Sequence, residues 1–99
     1  MSARDPSRDE IAVRHNAAES RFETVVDGFL AVADYQKTGG DFVMTHTFVP
    51  PELRGRGIAE KLVRAALDLA RSEKRRVVPA CSYVATFVRR HQEFQSLLN

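Results

Sequence analysis

The stretch that most constrains this chain is residues 46–73, where a short apolar strand, two prolines, a glycine-rich turn and a long amphipathic pattern follow one another. Neither Pro50 nor Pro51 can donate to a sheet ladder, so a strand must end before them. Beyond the turn, apolar residues recur at intervals of three and four, which predicts a helix over about residues 57–73. The segment therefore predicts a strand, a tight turn and a helix in immediate succession.

The turn itself reads Arg54-Gly55-Arg56-Gly57, two glycines alternating with two arginines. Glycine lets a backbone approach a ligand closely. The first N–H groups of a helix have no partner within the helix, and they point outward with the positive end of its dipole. Such a helix start favours an anion, most naturally a phosphate group. The alternative that the turn leaves open is a flexible helix start with its arginines in solvent.

Two common phosphate-binding motifs do not match this turn. A P-loop requires a Gly-Lys-Ser/Thr ending, whereas Gly57 is followed by Ile58, and Lys61 comes too late. A dinucleotide-binding turn requires a third glycine where this chain has Glu60, whose charge would repel a pyrophosphate. By contrast, the pattern Arg-x-x-Gly-x-Ala at residues 54–59 resembles the pyrophosphate-binding signature of the GNAT superfamily of acetyl-CoA-dependent N-acetyltransferases.

Length and composition limit the other classes of protein. The 99 residues suffice for one domain over residues 10–99, after a start over residues 1–9 that lacks periodicity and is expected to be disordered. No apolar run is long enough for a membrane span or a signal peptide, so a cytoplasmic location and no membrane partner are expected. The single cysteine excludes an internal disulfide, and the three histidines lie far apart, so no metal is expected.

The formal net charge of +2 is unevenly distributed. Residues 51–99 carry ten Lys/Arg and five Asp/Glu, whereas residues 1–50 carry five and eight. The basic half includes the glycine turn, which suits a polyanionic ligand, although a solvated helix with ion pairs such as Glu60 to Arg64 explains the charge as well. Nucleic-acid binding is not expected, because acidic residues interrupt the basic helix and the chain has no string of aromatic residues for stacking on bases.

Alternating apolar residues predict an antiparallel meander of four strands before the turn. The predicted strands are residues 11–16, 20–26, 29–37 and 41–49. The second and third are joined by Asp27-Gly28, a strong two-residue hairpin signal. In the fourth strand one face is expected to carry the residues Phe42, Met44, His46 and Phe48. Both of its faces hold apolar groups, so this strand is expected to be central.

A second helical unit follows the first helix. Val77 and Val78 form a short fifth strand, which should run parallel to the fourth because a helix crosses over between them. Cys81 or Ser82 then begins a second helix, which ends near Arg90, and residues 93–98 add a last turn. The predicted fold class is therefore α+β: a four-stranded antiparallel meander followed by a helix, a parallel fifth strand and a C-terminal helix.

Several strings together make the resemblance more specific. They are Asp27-Gly28, Tyr35, His46-Thr47-x-Val49-Pro50, Leu53-Arg54-Gly55-x-Gly57-Ile58-Ala59, Leu62-Val63 and Val78-Pro79-x-Cys81-Ser82-Tyr83-Val84. Over residues 11–98 the chain resembles the small, single-domain GNAT-like acetyltransferases. The resemblance implies a GNAT-like fold, acetyl-CoA or CoA as cofactor, and an amine acceptor of unknown identity. Larger members have two helices after the first strand; residues 16–19 leave no room for them, so the acceptor side is expected to be open.

The resemblance also implies cofactor-binding residues. In the larger family the pantetheine arm lies between the splayed fourth and fifth strands, which here implies contact with the backbone of Phe48 and Val49. The pyrophosphate would be held by the N–H groups of Arg54, Gly55, Arg56, Gly57, Ile58 and Ala59. Additional positive charge would come from Arg56 and Lys61, and from Arg89 and Arg90 at the adenosine phosphate.

Three residues are candidates for catalysis. Cys81 lies near a helix N-terminus, which favours a thiolate, although a lone cysteine is as often a small buried residue. His46, near the end of a central strand, has the side chain of a general base at neutral pH, unless it is a core histidine bonded to a carbonyl. The resemblance implies that Tyr83 donates a proton to a departing thiolate; helix packing is its alternative role.

The expected activity is transfer of acetyl from acetyl-CoA to an amine, with direct transfer and His46 as base favoured over an acetyl-Cys81 intermediate. A second thioester step adds no driving force, because both ends are thiols. The alternative function is a CoA-binding sensor or partner module with little or no turnover, since the cofactor signature is stronger than the catalytic set.

Overall fold

The strands pair in chain order in the computed structural model, which describes residues 11–98. They are β1 (Arg14–Asn16), β2 (Arg21–Val26), β3 (Phe29–Thr38), β4 (Asp41–Phe48) and β5 (Arg76–Pro79). Strands β1 to β4 are antiparallel, and β5 runs parallel to β4. The predicted order and directions of the strands are thereby confirmed, whereas the expected disorder of residues 1–9 concerns a segment outside the described residues.

The turn between β2 and β3 has the two residues that the sequence predicts. Val26 pairs with Phe29, and the intervening Asp27 and Gly28 both have positive φ, 53° and 81°. Two left-handed residues make the turn whose twist matches that of the flanking strands. The Asp-Gly pair is therefore the reason that β2 and β3 form a tight hairpin.

The helices follow the predicted order. They are α1 (Ile58–Ser72) and α2 (Ser82–Arg90), with short 3-10 helices at Ala17–Glu19, Pro51–Leu53 and Gln92–Leu98. Only the turn Ala17–Glu19 separates β1 from β2, so no α-helix lies between these strands. Of the helices within residues 11–98, none has both the length and the apolar character that crossing a bilayer requires.

Helix α1 packs on one side of the sheet and supplies much of the core. Its apolar stripe is fully buried: Ile58, Leu62, Val63, Ala66, Leu67 and Ala70. The sheet offers it the small side chains of Ala31 and Ala33 on β3, beside the larger Phe42 and Met44 on β4. Each fully buried Leu or Val contributes about 1.5–3 kcal/mol relative to an exposed position, so this contact holds α1 against the sheet.

Strand β4 has one extra residue where it pairs with Asp34 and Tyr35 of β3. Tyr35 pairs with Met44, but the preceding residue of β3, Asp34, pairs with His46. Thr45 is therefore the extra residue of a β-bulge. A bulge reverses which side of the sheet the following residues face, because side chains alternate strictly along an undisturbed strand.

The bulge makes one prediction wrong. Thr47 pairs with the buried Ala33, so Thr47 and not His46 lies on the side of Met44. His46 and Phe48 lie on the opposite side, where both are exposed. The expected shared face of Phe42, Met44, His46 and Phe48 assumed unbroken alternation, and the alternating sequence gives no sign of the extra residue.

No element within residues 11–98 covers the side of the sheet away from α1 along β2, β3 and β4, and we call this side the open face. Residues at paired positions share a side of the sheet, which gives the members Arg21, Glu23, Val25, Leu30, Val32, Asp34, His46 and Phe48. Val25, Leu30 and Phe48 are 64%, 40% and 44% exposed. Between β1 and β2 the chain has only the 3-10 turn Ala17–Glu19.

Strands β4 and β5 are paired for only part of their length. The ladder runs from Asp41 and Arg76 to Met44 and Pro79, whereas β4 continues to Phe48. The N–H group of Cys81 still donates to the Met44 carbonyl at 2.9 Å. Beyond this bond the two strands separate, so the backbone from Thr45 to Phe48 is not paired with β5.

Candidate active site

The glycine turn has the backbone that its sequence predicts. Gly55 has φ 85°, and Gly57 has φ 74° and ψ 18° at the N-cap of α1. Side chains other than glycine are strained in this left-handed region. The first bond into α1 runs from the Lys61 N–H to the Gly57 carbonyl at 3.2 Å. The N–H groups of Ile58 and Ala59 precede that bond, and they belong to the unpartnered first turn of the helix.

A cavity of about 230 Å³ lies against this turn. It is lined by six residues predicted to bind a cofactor: Val49, Arg54, Gly55, Gly57, Ile58 and Ala59. Tyr83 reaches the same cavity from α2, and Leu53 closes it from the core. The structure therefore brings most of the predicted cofactor residues together with one predicted catalytic residue, although Arg56 and Phe48 do not line the cavity.

Both arginines of the turn have partners. Arg54 Nε donates to the Val49 carbonyl at 3.2 Å, which ties the turn to the end of β4. Arg56 Nη1 donates to Asp27 Oδ2 at 3.0 Å, which ties the turn to the β2–β3 hairpin. Asp27 was predicted only as a hairpin residue; because its pairing with Arg56 is long-range, no local pattern could have revealed it.

Glu60 lies in the first turn of α1, where its charge opposes an anion. Its carboxylate pairs with Arg64 Nη2 at 3.3 Å, one helical turn further on. This is the ion pair that the sequence predicts, and it is confirmed. The guanidinium offsets part of the negative charge beside the glycine turn, so the cavity remains suited to a phosphate group.

Cys81 is the N-cap residue of α2 and is partly buried. Its Sγ lies 3.6 Å from Thr47 Oγ1. Burial acts to raise the pKa of the Cys81 thiol, but hydrogen bonds from the Val84 backbone, the Thr47 hydroxyl and the Tyr83 backbone outweigh it, so the pKa lies below its ordinary value. Cys81 thus lies at a helix N-terminus, and the direction of its pKa shift agrees with the effect that the sequence leads us to expect there.

Tyr83 is half-exposed on the first turn of α2. Burial raises the pKa of its hydroxyl, and the negative charge of Glu60 acts in the same direction. A phenol with a raised pKa keeps its proton at neutral pH and can donate it. The ring also lies 6.3 Å from that of Phe87, so packing and proton donation are compatible at this residue.

His46 does not share a face of β4 with Thr47, the residue that contacts Cys81. It is exposed on the open face, where it pairs with Asp34 across β3. Its ring is nearly parallel to that of Phe48, with 6.5 Å between the centroids. The predicted base and the predicted thiol therefore lie on opposite sides of the same strand, and each is accessible from its own side.

Two further arginines that the sequence predicts to bind the cofactor lie at the far end of α2 from Cys81. Arg89 and Arg90 occupy the last turn of α2, and Cys81 caps its first. At a rise of 1.5 Å per residue this separation is about 12 Å, so their contact with an adenosine phosphate stays a prediction. Within residues 11–98, no group of three or more His, Cys, Asp or Glu side chains is placed to hold a metal ion.

Comparison with known proteins identifies a matching family and several relatives of this chain. Residues 21–97 match the family model described as GCN5-related N-acetyl-transferase. Protein NATD1 of Bos taurus is 38% identical over 82 residues, which are 80% of this chain and 73% of the relative. Protein NATD1 of Xenopus tropicalis is 34% identical over 92 residues, or 90% and 84% of the two chains.

A solved structure shows the same fold. The NMR solution structure of a GCN5-like protein from Staphylococcus aureus superposes with a TM-score of 0.71, covering 87% of this chain and 85% of the other. At 24% identity this similarity concerns the fold alone. The family match, by contrast, covers most of the sequence, including the glycine turn, both helices and Cys81. The chain therefore belongs to the GCN5-related N-acetyltransferase family.

Proposed function

We propose that this chain binds acetyl-CoA at the glycine turn and transfers its acetyl group to an amine. The observation that carries the proposal is the meeting of three features at one place. The left-handed Gly57 begins α1, a cavity lies beside it, and the β4–β5 ladder ends next to that cavity. A diphosphate with a long polar arm requires such a combination, because one end needs N–H donors and the arm needs free backbone groups.

The residues present fit CoA. The N–H groups of Ile58 and Ala59 point toward the cavity end of α1, where a helix start favours negative charge. Gly57 has no side chain to block the approach of a phosphate, and the pairing of Glu60 with Arg64 offsets the nearest negative charge. The end of β4, beyond Met44, supplies backbone groups that β5 does not pair and that an amide-containing arm can bond.

The chemistry assigns separate roles to three side chains. Acetyl-CoA supplies an activated acetyl group, whose carbon–sulfur bond breaks as the carbon–nitrogen bond to the amine forms. His46 takes the proton that the ammonium group loses, directly or through a water. Tyr83 donates its proton to the departing sulfur. Cys81 lies in the same region as a partly buried thiol with a lowered pKa.

Direct transfer brings the amine and the thioester to the end of β4 from its two sides. His46 is on the open face, so an amine can approach the end of β4 from that side. Tyr83 and Cys81 are on the side of α2, next to the glycine turn. A relay through Cys81 would add a second, energetically neutral thioester exchange, which direct transfer does not need.

The two routes are separated by an intact mass measured after incubation with acetyl-CoA and no acceptor. We expect an unmodified protein, and we expect Cys81→Ala to retain turnover. A stoichiometric acetyl adduct on Cys81 that an amine discharges would instead establish the relay.

The function itself is tested by a screen of amines, polyamines and lysine peptides with acetyl-CoA, in which free CoA is measured. We expect release of CoA that depends on the acceptor and is absent in Gly57→Val. No release with any acceptor would contradict the transferase activity. Calorimetry on the same samples measures CoA binding independently of turnover.

A CoA-binding sensor with little turnover is the second candidate, and one observation favours it. The side chain of His46 makes no hydrogen bond with other residues of the described part of the chain, so the orientation of the base rests on its ring contact with Phe48. The cavity at the glycine turn, by contrast, is built mainly from backbone and is already formed. Tight CoA binding without acceptor-dependent CoA release is the result that this candidate predicts.

A further inference from the structure

A second cavity lies along the last two turns of α2, between that helix, the end of β5 and the C-terminal 3-10 helix, and we call it the α2 groove. Its lining includes the apolar residues Ala85, Val88 and Leu98 and the polar residues Arg89, Gln95 and Ser96. Its volume is about 660 Å³, within the range of about 300–1,000 Å³ that is usual for sites of small molecules. None of its lining residues also lines the cavity at the glycine turn, so the proposed CoA site does not account for this groove.

The wall that the C-terminal 3-10 helix contributes is held in place by packing and by a hydrogen bond. Phe94 of this helix is buried, and its ring lies 6.0 Å from that of Phe87 on α2. Beside it, Gln95 Nε2 donates to the Arg89 carbonyl at 3.1 Å. The last carbonyls of a helix have no partner within it, so Gln95 both satisfies the end of α2 and fixes the spacing of the two walls. Contacts of the chain itself therefore give the α2 groove its shape.

One part of the groove is apolar. Pro79 at the end of β5, Ala85 and Val88 on α2, and Leu98 line it together. Leu98 is 38% exposed, so part of this lining is open to solvent. Apolar surface that is open to solvent favours a ligand with an apolar body, because binding removes both surfaces from water.

The polar part of the groove carries a positive charge, and no Asp or Glu is among the described residues that line it. Within residues 11–98, the only side chain that the Arg89 guanidinium bonds is Thr86, whose hydroxyl lies at 3.5 Å. Arg64, by contrast, is held by both Glu60 and Glu93. The two parallel N–H groups of a guanidinium match the two oxygens of a carboxylate, and the Ser96 hydroxyl adds a further donor beside it. The groove thus joins a site for a single negative charge to an apolar wall.

We propose that the α2 groove binds a small aliphatic carboxylic acid in its ionised form. The carboxylate pairs with the guanidinium of Arg89 and accepts a hydrogen bond from the Ser96 hydroxyl. The aliphatic body lies against Val88 and Leu98. Because the groove and the glycine turn share no lining residue, the acid and CoA bind at the same time.

The test titrates the ¹⁵N-labelled full chain with hexanoate, hexanamide and acetate, and follows the amide chemical shifts by NMR. Hexanamide keeps the apolar body without the charge, and acetate keeps the charge with a shorter body. We expect the largest shift changes at Ala85, Arg89 and Ser96. The Kd of hexanoate should be at least about tenfold lower than that of either analogue, because one lacks the charge-assisted pair and the other lacks most of the apolar surface.

Two neighbouring arginines provide matched variants. Arg89→Gln should weaken hexanoate binding about tenfold and bring its Kd close to that of hexanamide. Arg90→Gln should leave both values as they are, because Arg90 is exposed and does not line the groove. Leu98→Ser should weaken the binding of hexanoate and not that of acetate. Its control is Leu30→Ser, at a leucine that is 40% exposed and lies outside the groove.

Absence of hexanoate binding, equal affinity for hexanoate and hexanamide, or an Arg89→Gln variant that keeps the preference would each overturn the inference. Shift changes centred on Ile58 and Ala59 would place hexanoate at the glycine turn instead. Repeating the titration at saturating CoA should give the same Kd for hexanoate. Competition between the two would overturn the inference, because it would assign Arg89 to the adenosine phosphate of CoA. If CoA itself does not bind, the proposed function fails, and the titration with hexanoate still decides this inference.

Discussion

The glycine turn and the open face lie at the two sides of β4 and are built on different principles. The turn uses backbone: left-handed glycines, a helix start and the end of a ladder place N–H and carbonyl groups at one cavity. The open face uses side chains, and a single bulge at Thr45 decides which of them it carries. A backbone site tolerates change in its side chains, whereas a side-chain site depends on register. The predictions below test that difference.

The largest effect is expected at the turn, in Gly57→Val. Gly57 has φ 74°, where a branched side chain is strained, and the added atoms would stand between a phosphate and the N–H groups of Ile58 and Ala59. Losing hydrogen bonds to a charged group, at about 1.5–3 kcal/mol each, corresponds to a loss of CoA affinity of roughly a hundredfold or more. Isothermal calorimetry with CoA measures it.

Gly39→Val is the control for backbone strain. Gly39 has φ 60° in the turn between β3 and β4, where an added side chain would meet nothing within 4 Å. We expect this variant to lose stability in a similar way and to keep its CoA affinity. Equal CoA binding by Gly57→Val and the unaltered chain would contradict the role of the turn.

On the open face, the expected effect of His46→Ala is a fall in kcat. Loss of a general base costs about a hundredfold or more, and CoA affinity should not change because His46 faces away from the cavity. Thr45→Ala, at the neighbouring exposed position, is the control. A His46→Ala variant that loses CoA affinity but keeps kcat would show that the two sides of β4 do not act separately.

The sequence predicts the turn better than the open face for a physical reason. Glycine and proline restrict the backbone locally, so residues 50–57 can be interpreted without knowledge of their neighbours. The side of the sheet on which His46 lies depends on an extra residue at Thr45, which is defined only by pairing with β3. Contacts such as Thr47 with Cys81 join residues far apart in the chain, so local patterns could not reveal them.

A moderate effect is expected at Cys81, through Thr47→Val. The Thr47 hydroxyl is one of the groups that lower the pKa of the Cys81 thiol. The lowered pKa means that the unaltered chain has more thiolate at pH 7 than an ordinary cysteine. Removing one hydrogen bond, worth about 1 kcal/mol, should raise the pKa and slow alkylation by iodoacetamide about fivefold. Bound CoA should protect the thiol.

Leu98→Val is a suitable control for a distant change in packing. In this variant iodoacetamide should alkylate Cys81 at the same rate as in the unaltered chain. A Cys81 that reacts only after denaturation would show that its role is packing alone.

The edge of the open face predicts a dependence of stability on pH. Hydrogen bonds from Arg21 and then Arg14 lower the pKa of Glu23 from 4.5 to about 2, although burial opposes them. A carboxyl group whose pKa is lower in the folded state than in the unfolded state stabilises the fold at pH values above its unfolded-state pKa. The contribution of Glu23 is therefore complete above about pH 4.5, and it is lost as the pH falls toward 2.

Urea unfolding between pH 2 and pH 7 measures this contribution. Glu23→Gln should be less stable than the unaltered chain at pH 7, and the difference should shrink as the pH falls through this range. Glu19→Gln is the control on the neighbouring exposed turn. A difference between the Glu23→Gln and unaltered chains that stays constant from pH 7 to pH 2 would contradict the assigned ion pairs.

The smallest effect on CoA affinity is expected from the ion pair that joins the glycine turn to the β2–β3 hairpin. Asp27 holds Arg56 at 3.0 Å, and both side chains are exposed. Asp27→Asn releases the guanidinium beside the turn, so CoA affinity should rise by up to about fivefold at low salt, since exposed pairs are worth about 0–1 kcal/mol. The gain should vanish at high salt and in an Arg56→Ala background. Weaker CoA binding by Asp27→Asn would mean that the pair holds the turn in shape.

The most direct test of CoA binding at the glycine turn is a titration of the ¹⁵N-labelled chain with CoA, followed by NMR. We predict that the largest changes in amide chemical shift occur at Ile58 and Ala59, with smaller changes near Val49 and Tyr83. The basic segment 74–76 lies at the other end of β4, where Arg76 pairs with Asp41, and it should change little. Shifts centred on residues 74–76, or no shifts at saturating CoA, would contradict the account.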